Sequence, residues 1–125
     1  MLNVAKNIAA GLGKPPFSGY PVSTLEAAQF SAVDILPACA FFIGCENQKS
    51  FSFPYIEDLF AHINLAGRFC GVFSSNSAAV KYLSNMVRPC DAVVGKPLLI
   101  KDDTDSNTLQ NWITDILQGV ADGRN

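Results

Sequence analysis

Few side chains in this sequence could serve as nucleophile, acid, base or metal ligand, and their spacing narrows the chemistry further. The four cysteines, Cys39, Cys45, Cys70 and Cys90, lie too far apart for a Cys-x-x-Cys metal or redox pair. Three of them stand in or beside apolar runs, which predicts buried, reduced thiols. Cys45, just past the end of an apolar run, is the one placed where sites form. His62 is the single histidine, which rules out a two-histidine metal site and suits a surface position on a helix. No Gly-x-Ser-x-Gly or Cys-His arrangement is visible. Asp102-Asp103-Thr104-Asp105 gathers three carboxylates but lacks the glycine turn and distal glutamate of a calcium loop, so it is expected to be the solvated start of a helix. No two residues suggest acid and base work, and no catalytic residue or metal site is expected.

The elements that must position these groups follow from apolar periodicity. Val4, Ala5, Ile8, Ala9 and Leu12 recur at helical spacing until Gly11, Gly13, Pro15 and Pro16 stop the pattern. Tyr20-Pro21-Val22-Ser23 suits a short edge strand and Leu25 to Phe30 a turn of helix. Ala38 to Gly44 is a continuous apolar run of strand length, the mark of a strand buried on both faces. A polar stretch follows, and then Pro54 opens a helix whose buried face is Ile56, Leu59, Phe60 and Ile63, with Gly67 at its end. Phe69 to Phe73 reads as a second buried strand. It leads through Ser74-Ser75-Asn76-Ser77 into a helix carrying Ala78, Ala79, Tyr82, Leu83, Met86 and Val87, with Asn76 or Ser77 as N-cap. After Pro89, Ala92-Val93-Val94 and Pro97 to Ile100 make a last strand interrupted around Gly95. A closing helix carries Leu109, Trp112, Ile113, Ile116 and Leu117, with Asp105, Ser106 or Asn107 as its cap.

Three strand-then-helix units in succession predict right-handed crossovers and one parallel sheet. A single domain spanning residues 1–125 is expected, because 125 residues suffice for one core. The composition agrees: 49% hydrophobic and only 16% charged residues suit a sheet covered on both faces. A net charge of −2 without a cluster of Lys or Arg gives no footprint for nucleic acid. No apolar run reaches membrane-spanning length and the first residues lack a signal-peptide pattern, so no membrane contact and a cytoplasmic location are expected.

From Ala38 onward the order of segments resembles a flavodoxin. The resemblance is carried by Phe41-Phe42-Ile43-Gly44 running into a polar loop, by Ala66 to Ser75 as the next strand with its loop, by Ala92 to Leu98, by Leu109-Gln110-Asn111-Trp112, and by Asn3 to Ala9 as a first helix. It implies a three-layer flavodoxin-like α/β fold with helices on both faces of a parallel sheet. Because only Met1 and Leu2 precede Asn3, it also implies that the family's first strand and Ser/Thr/Gly-rich phosphate loop are missing, unless an upstream segment belongs to the native gene.

Family members bind FMN through three loops at the carboxyl ends of the strands. The resemblance places the second loop at Cys45 to Phe53, with Cys45, Asn47, Phe51 and Phe53 as candidate contacts and Tyr55 as a further aromatic, and the third at Ser74, Ser75 and Asn76. Without the phosphate loop, a protein that binds no FMN in the family's manner is expected, acting as a structural or interaction module with a second copy or another protein as partner. The alternative is an FMN-binding electron-transfer protein that uses the two remaining loops, with a partner chain holding the phosphate.

Overall fold

A computed structural model describes residues 2–13, 22–25, 29, 31–46 and 53–121. Its centre is a parallel sheet, formed because three apolar segments each lead into a helix that crosses back over it. β1 (Ala40–Gly44) pairs with β2 (Phe69–Ser74), and β2 pairs on its other side with β3 (Val93–Val94) and β4 (Leu98–Leu99). All the pairings are parallel, with Ala40 beside Phe69 and Gly44 beside Phe73. β3 and β4 are one strand broken by a bulge. From Cys70 to Phe73 β2 advances by three residues, while the facing strand advances by four, from Val94 to Leu98. Gly95 lies inside this bulge, at the interruption expected from the sequence.

The helices divide between the two faces as the alternation of the strands requires. On one face, Phe41 and Ile43 of β1 and Cys70 and Val72 of β2 pack against Ile56 and Phe60 of α3 (Phe53–His62) and Leu83, Met86 and Val87 of α4 (Ser77–Val87). On the other, Ala40, Phe42, Phe69 and Phe73 pack against Ile8 of α1 (Leu2–Leu12) and Trp112, Ile113, Ile116 and Leu117 of α5 (Ser106–Ala121). Three layers result: α1 and α5, the sheet, then α3 and α4. β2 is the buried centre, where Cys70 and Val72 have no exposed surface, whereas every residue of β1 keeps partial exposure. The order β1-β2-β3/β4 matches the last three strands of a flavodoxin-like sheet. Among the described residues, no strand lies on the far side of β1.

Several boundaries have clear local causes. α1 ends where Gly13 donates its N–H back to the carbonyls of Ala9 and Ala10. α4 starts at Asn76, whose Oδ1 accepts from the N–H groups of Ala78 (2.9 Å) and Ala79 (3.4 Å). Asp105 caps α5 by accepting from Thr108 N–H at 2.8 Å. Arg88-Pro89-Cys90 closes α4 in a turn of 3-10 helix.

Three expectations are corrected. α3 stops at His62, short of Gly67, because Asn64 Oδ1 accepts from Ala66 N–H and offers the backbone a turn instead; Gly67, at φ 84°, then reverses the chain into β2. Cys39 is exposed instead of buried, since it sits just before the outermost strand. Val22 to Leu25 is irregular and exposed, so the expected edge strand is not found there; its first half, Tyr20 and Pro21, lies outside the described residues, as does most of Leu25 to Phe30. A short helix, α2 (Ala32–Ile35), was not foreseen. Its signal is Ser31-Ala32-Val33-Asp34, in which Asp34 reaches back to accept from Ser31 N–H at 2.9 Å. Arg68 ties the end of this turn to the start of β2 by donating to Leu36 C=O at 2.8 Å.

Candidate functional site

In an open parallel sheet the loops leaving the carboxyl ends of the strands form the natural crevice. Here those ends are Cys45-Glu46 after β1, Ser74-Ser75-Asn76 after β2, and Ile100 after β4. A single buried hydroxyl joins the first two. Ser74, fully buried, donates from Oγ to Cys45 C=O (2.5 Å) and accepts from Asn76 N–H (3.1 Å). Its own carbonyl accepts from Ile100 N–H at 2.7 Å, so Ser74 holds all three strand ends together.

The structure therefore brings Cys45, Ser74, Ser75 and Asn76 into one region. Ser75 and Asn76 are exposed, while the polar atoms of Ser74 and the Oδ1 of Asn76 are engaged inside the protein, the latter as the cap of α4. Asn47 and Phe51 lie outside the described residues. Phe53 is the first residue of α3, and Tyr55, on the same helix, is exposed. Among the described residues no buried side-chain nitrogen or oxygen lacks a hydrogen-bond partner, so no orphaned donor is aimed into the crevice for a ligand to satisfy. Nor do the described residues contain a group of three His, Cys, Asp or Glu able to hold a metal ion.

The electrostatics describe quiet thiols. Burial pushes the Cys45 thiol up, and burial together with neighbouring Cys90 pushes Cys70 up further, which keeps both protonated at neutral pH. Beside Cys45, the Tyr82 hydroxyl donates to Glu57 Oε1, linking α4 to α3. Burial first, and then that bond, raise the Tyr82 pKa. The pair was not anticipated from sequence, because its members are 25 residues apart on different helices. His62 is exposed as expected, with Nδ1 2.8 Å from Asp58 C=O.

A second concavity, a shallow groove of about 340 Å³, runs between the β3–β4 bulge and α5. Trp112 and Ile116 floor it, Lys96, Thr108, Asn111 and Asp115 rim it, and Trp112 Nε1–H donates to Lys96 C=O at 2.7 Å. No family model matches the sequence, and no curated protein matches it.

The two edges of the sheet differ in kind. In a parallel ladder, successive residues address alternate sides. Phe69 N–H donates to Cys39 C=O, so Cys39, Phe41 and Ile43 face β2 and the N–H and C=O groups of Ala40, Phe42 and Gly44 point outward. Residues 38–45 carry no charge and no proline, and β1 runs beside β2 without a bulge. The opposite edge has all three of these protections: the bulge itself, with Lys96 and Pro97 within it. Among the described residues no helix is long and apolar enough to cross a membrane.

Proposed function

We propose that this chain is a flavodoxin-like interaction module that does not hold FMN in the family's manner and that engages a protein partner by adding a strand to the outer edge of β1. The observation that carries the reading is that edge: an uncharged, apolar strand with three outward-facing backbone pairs, in a sheet whose other edge is blunted. In the flavodoxin order the position beyond β1 belongs to the first strand, whose loop grips the phosphate through backbone amides. The internal engagement of Ser74 Oγ and Asn76 Oδ1 supports the same reading, since these two polar atoms of the third loop serve the fold. The cytoplasm suits the protein, because four free thiols persist in a reducing compartment. Titrating FMN with the full chain and following flavin fluorescence tests the cofactor half of the proposal. No saturable quenching is expected; saturable quenching at micromolar protein would overturn it and favour an electron carrier.

A further inference from the structure

Strand addition alone does not say whose strand is added, and the sequence of β1 with its flanks narrows the choice. Cys39-Ala40-Phe41-Phe42-Ile43-Gly44-Cys45 is a chemical palindrome about Phe42: thiol with thiol, small with small, large apolar with large apolar. Self-complementarity of this kind is what a two-fold interface demands, since residue i of one copy meets j of the other and j meets i.

Building on the module reading above, we propose that the partner is a second copy of this chain, its β1 antiparallel to the first across a two-fold axis at Phe42. In that register Phe42 faces Phe42, Ala40 faces Gly44, Phe41 faces Ile43 and Cys39 faces Cys45. The outward groups of Ala40, Phe42 and Gly44 become the hydrogen-bonded pairs, about six bonds in all, and the odd-numbered residues the non-hydrogen-bonded ones. Side-chain direction is conserved as well. Ala40, Phe42 and Gly44 lie on the α1/α5 face, so the two Phe42 rings meet between pairs of small residues, while Phe41 and Ile43 meet on the α3/α4 face. Glu46 of one copy faces Ala38 of the other, so no like charges are opposed. Among the described residues, the two sheets become one whose remaining edges are the bulged ones.

The register makes a chemical prediction from native residues. Directly opposed non-hydrogen-bonded residues stand about 4.5 Å apart at Cα, inside the range a disulfide spans. Within one chain Cys39 and Cys45 are six positions apart along an extended segment, about 20 Å, and cannot bridge. A Cys39–Cys45 disulfide is therefore intermolecular. The test is oxidation of the purified full chain with diamide, which takes up the two thiol hydrogens as the S–S bond forms and is itself reduced to the hydrazine. It is run at about pH 9 to offset the burial of Cys45, with non-reducing electrophoresis, peptide mass spectrometry and light scattering of the unoxidised protein.

The expected result is a dimer in solution that oxidation traps by Cys39–Cys45 linkage; Cys39→Ser, a change at an exposed position that leaves the fold intact, abolishes the linkage and keeps the dimer. Linkage confined to Cys39–Cys39 or Cys45–Cys45 would overturn the register, and a monomer without cross-links would overturn self-pairing. Amide exchange separates the two proposals. If the monomer leaves the Ala40, Phe42 and Gly44 amides unprotected, the module reading stands with a different partner; if they are protected in the monomer, both proposals fall.

Discussion

Replacing Ser74 with Ala removes one oxygen from the point where the strand ends meet, and the structure sets the size of the effect. The substitution loses the bonds to Cys45 C=O and Asn76 N–H and opens almost no cavity. The Cys45 carbonyl is half-buried and would be left without that donor, at a cost of about 1 to 3 kcal/mol; the exposed Asn76 end can turn to water and loses less. A total near 2 kcal/mol corresponds to a fall of about 1 M in urea midpoint for a slope near 2 kcal/mol/M, and to a fall of about 8 °C in Tm for a domain of this size. Trp112, the single tryptophan and nearly buried, reports unfolding by its fluorescence. If Ser74 served a ligand and not the fold, the apo-protein would unfold at the same urea concentration before and after the change. An unchanged midpoint would thus refute the assignment of Ser74 as a structural tie.

Asn76→Ala should cost about 1 kcal/mol through loss of the α4 cap, with Asn76→Asp retaining most of the stability, both read from urea midpoints. Gly44→Ala would drive a Cβ into the Phe73 ring, which is buried and packed edge-on against Trp112. The strain should lower the midpoint by about 1 to 3 kcal/mol, with altered Trp112 emission. Hydrogen bonding to Thr108 lowers the Asp105 pKa in the folded state. Its contribution is therefore present above the unfolded value near 3.8 and is lost as pH falls through the lower folded value, so Asp105→Asn should flatten the pH dependence of the urea midpoint below about pH 4.

The architecture was legible because it depends on apolar periodicity, and here each strand is a dense run followed by a helix, with caps legible at α4 and α5. Even the break at Gly95 could be read, since Gly-Lys-Pro cannot continue a ladder. The corrections arise where local side-chain chemistry competes with periodicity: Asn64 ends α3 early although Ile63 continues the apolar pattern, and Ser31 with Asp34 nucleates a turn too short to show a period. At the site, the sequence located Cys45, Ser74, Ser75 and Asn76 at adjoining strand ends. What Ser74 and Asn76 do there could not be read, because a serine that binds a ligand and one that ties two loops look alike until a partner 29 residues away is placed beside it. The Tyr82 to Glu57 link and the contrast between the two sheet edges likewise exist only once the strands are paired.

The central claim, that the outer edge of β1 is a pairing surface, is tested most directly by residue-resolved amide exchange across β1 as protein concentration rises. Phe41 and Ile43, bonded to β2, should be protected at every concentration. Ala40, Phe42 and Gly44 should exchange freely when dilute and gain protection together as copies associate. Protection of those three amides that is already complete at the lowest concentration would contradict the account; its absence at the highest would overturn self-pairing and leave the edge to a different partner.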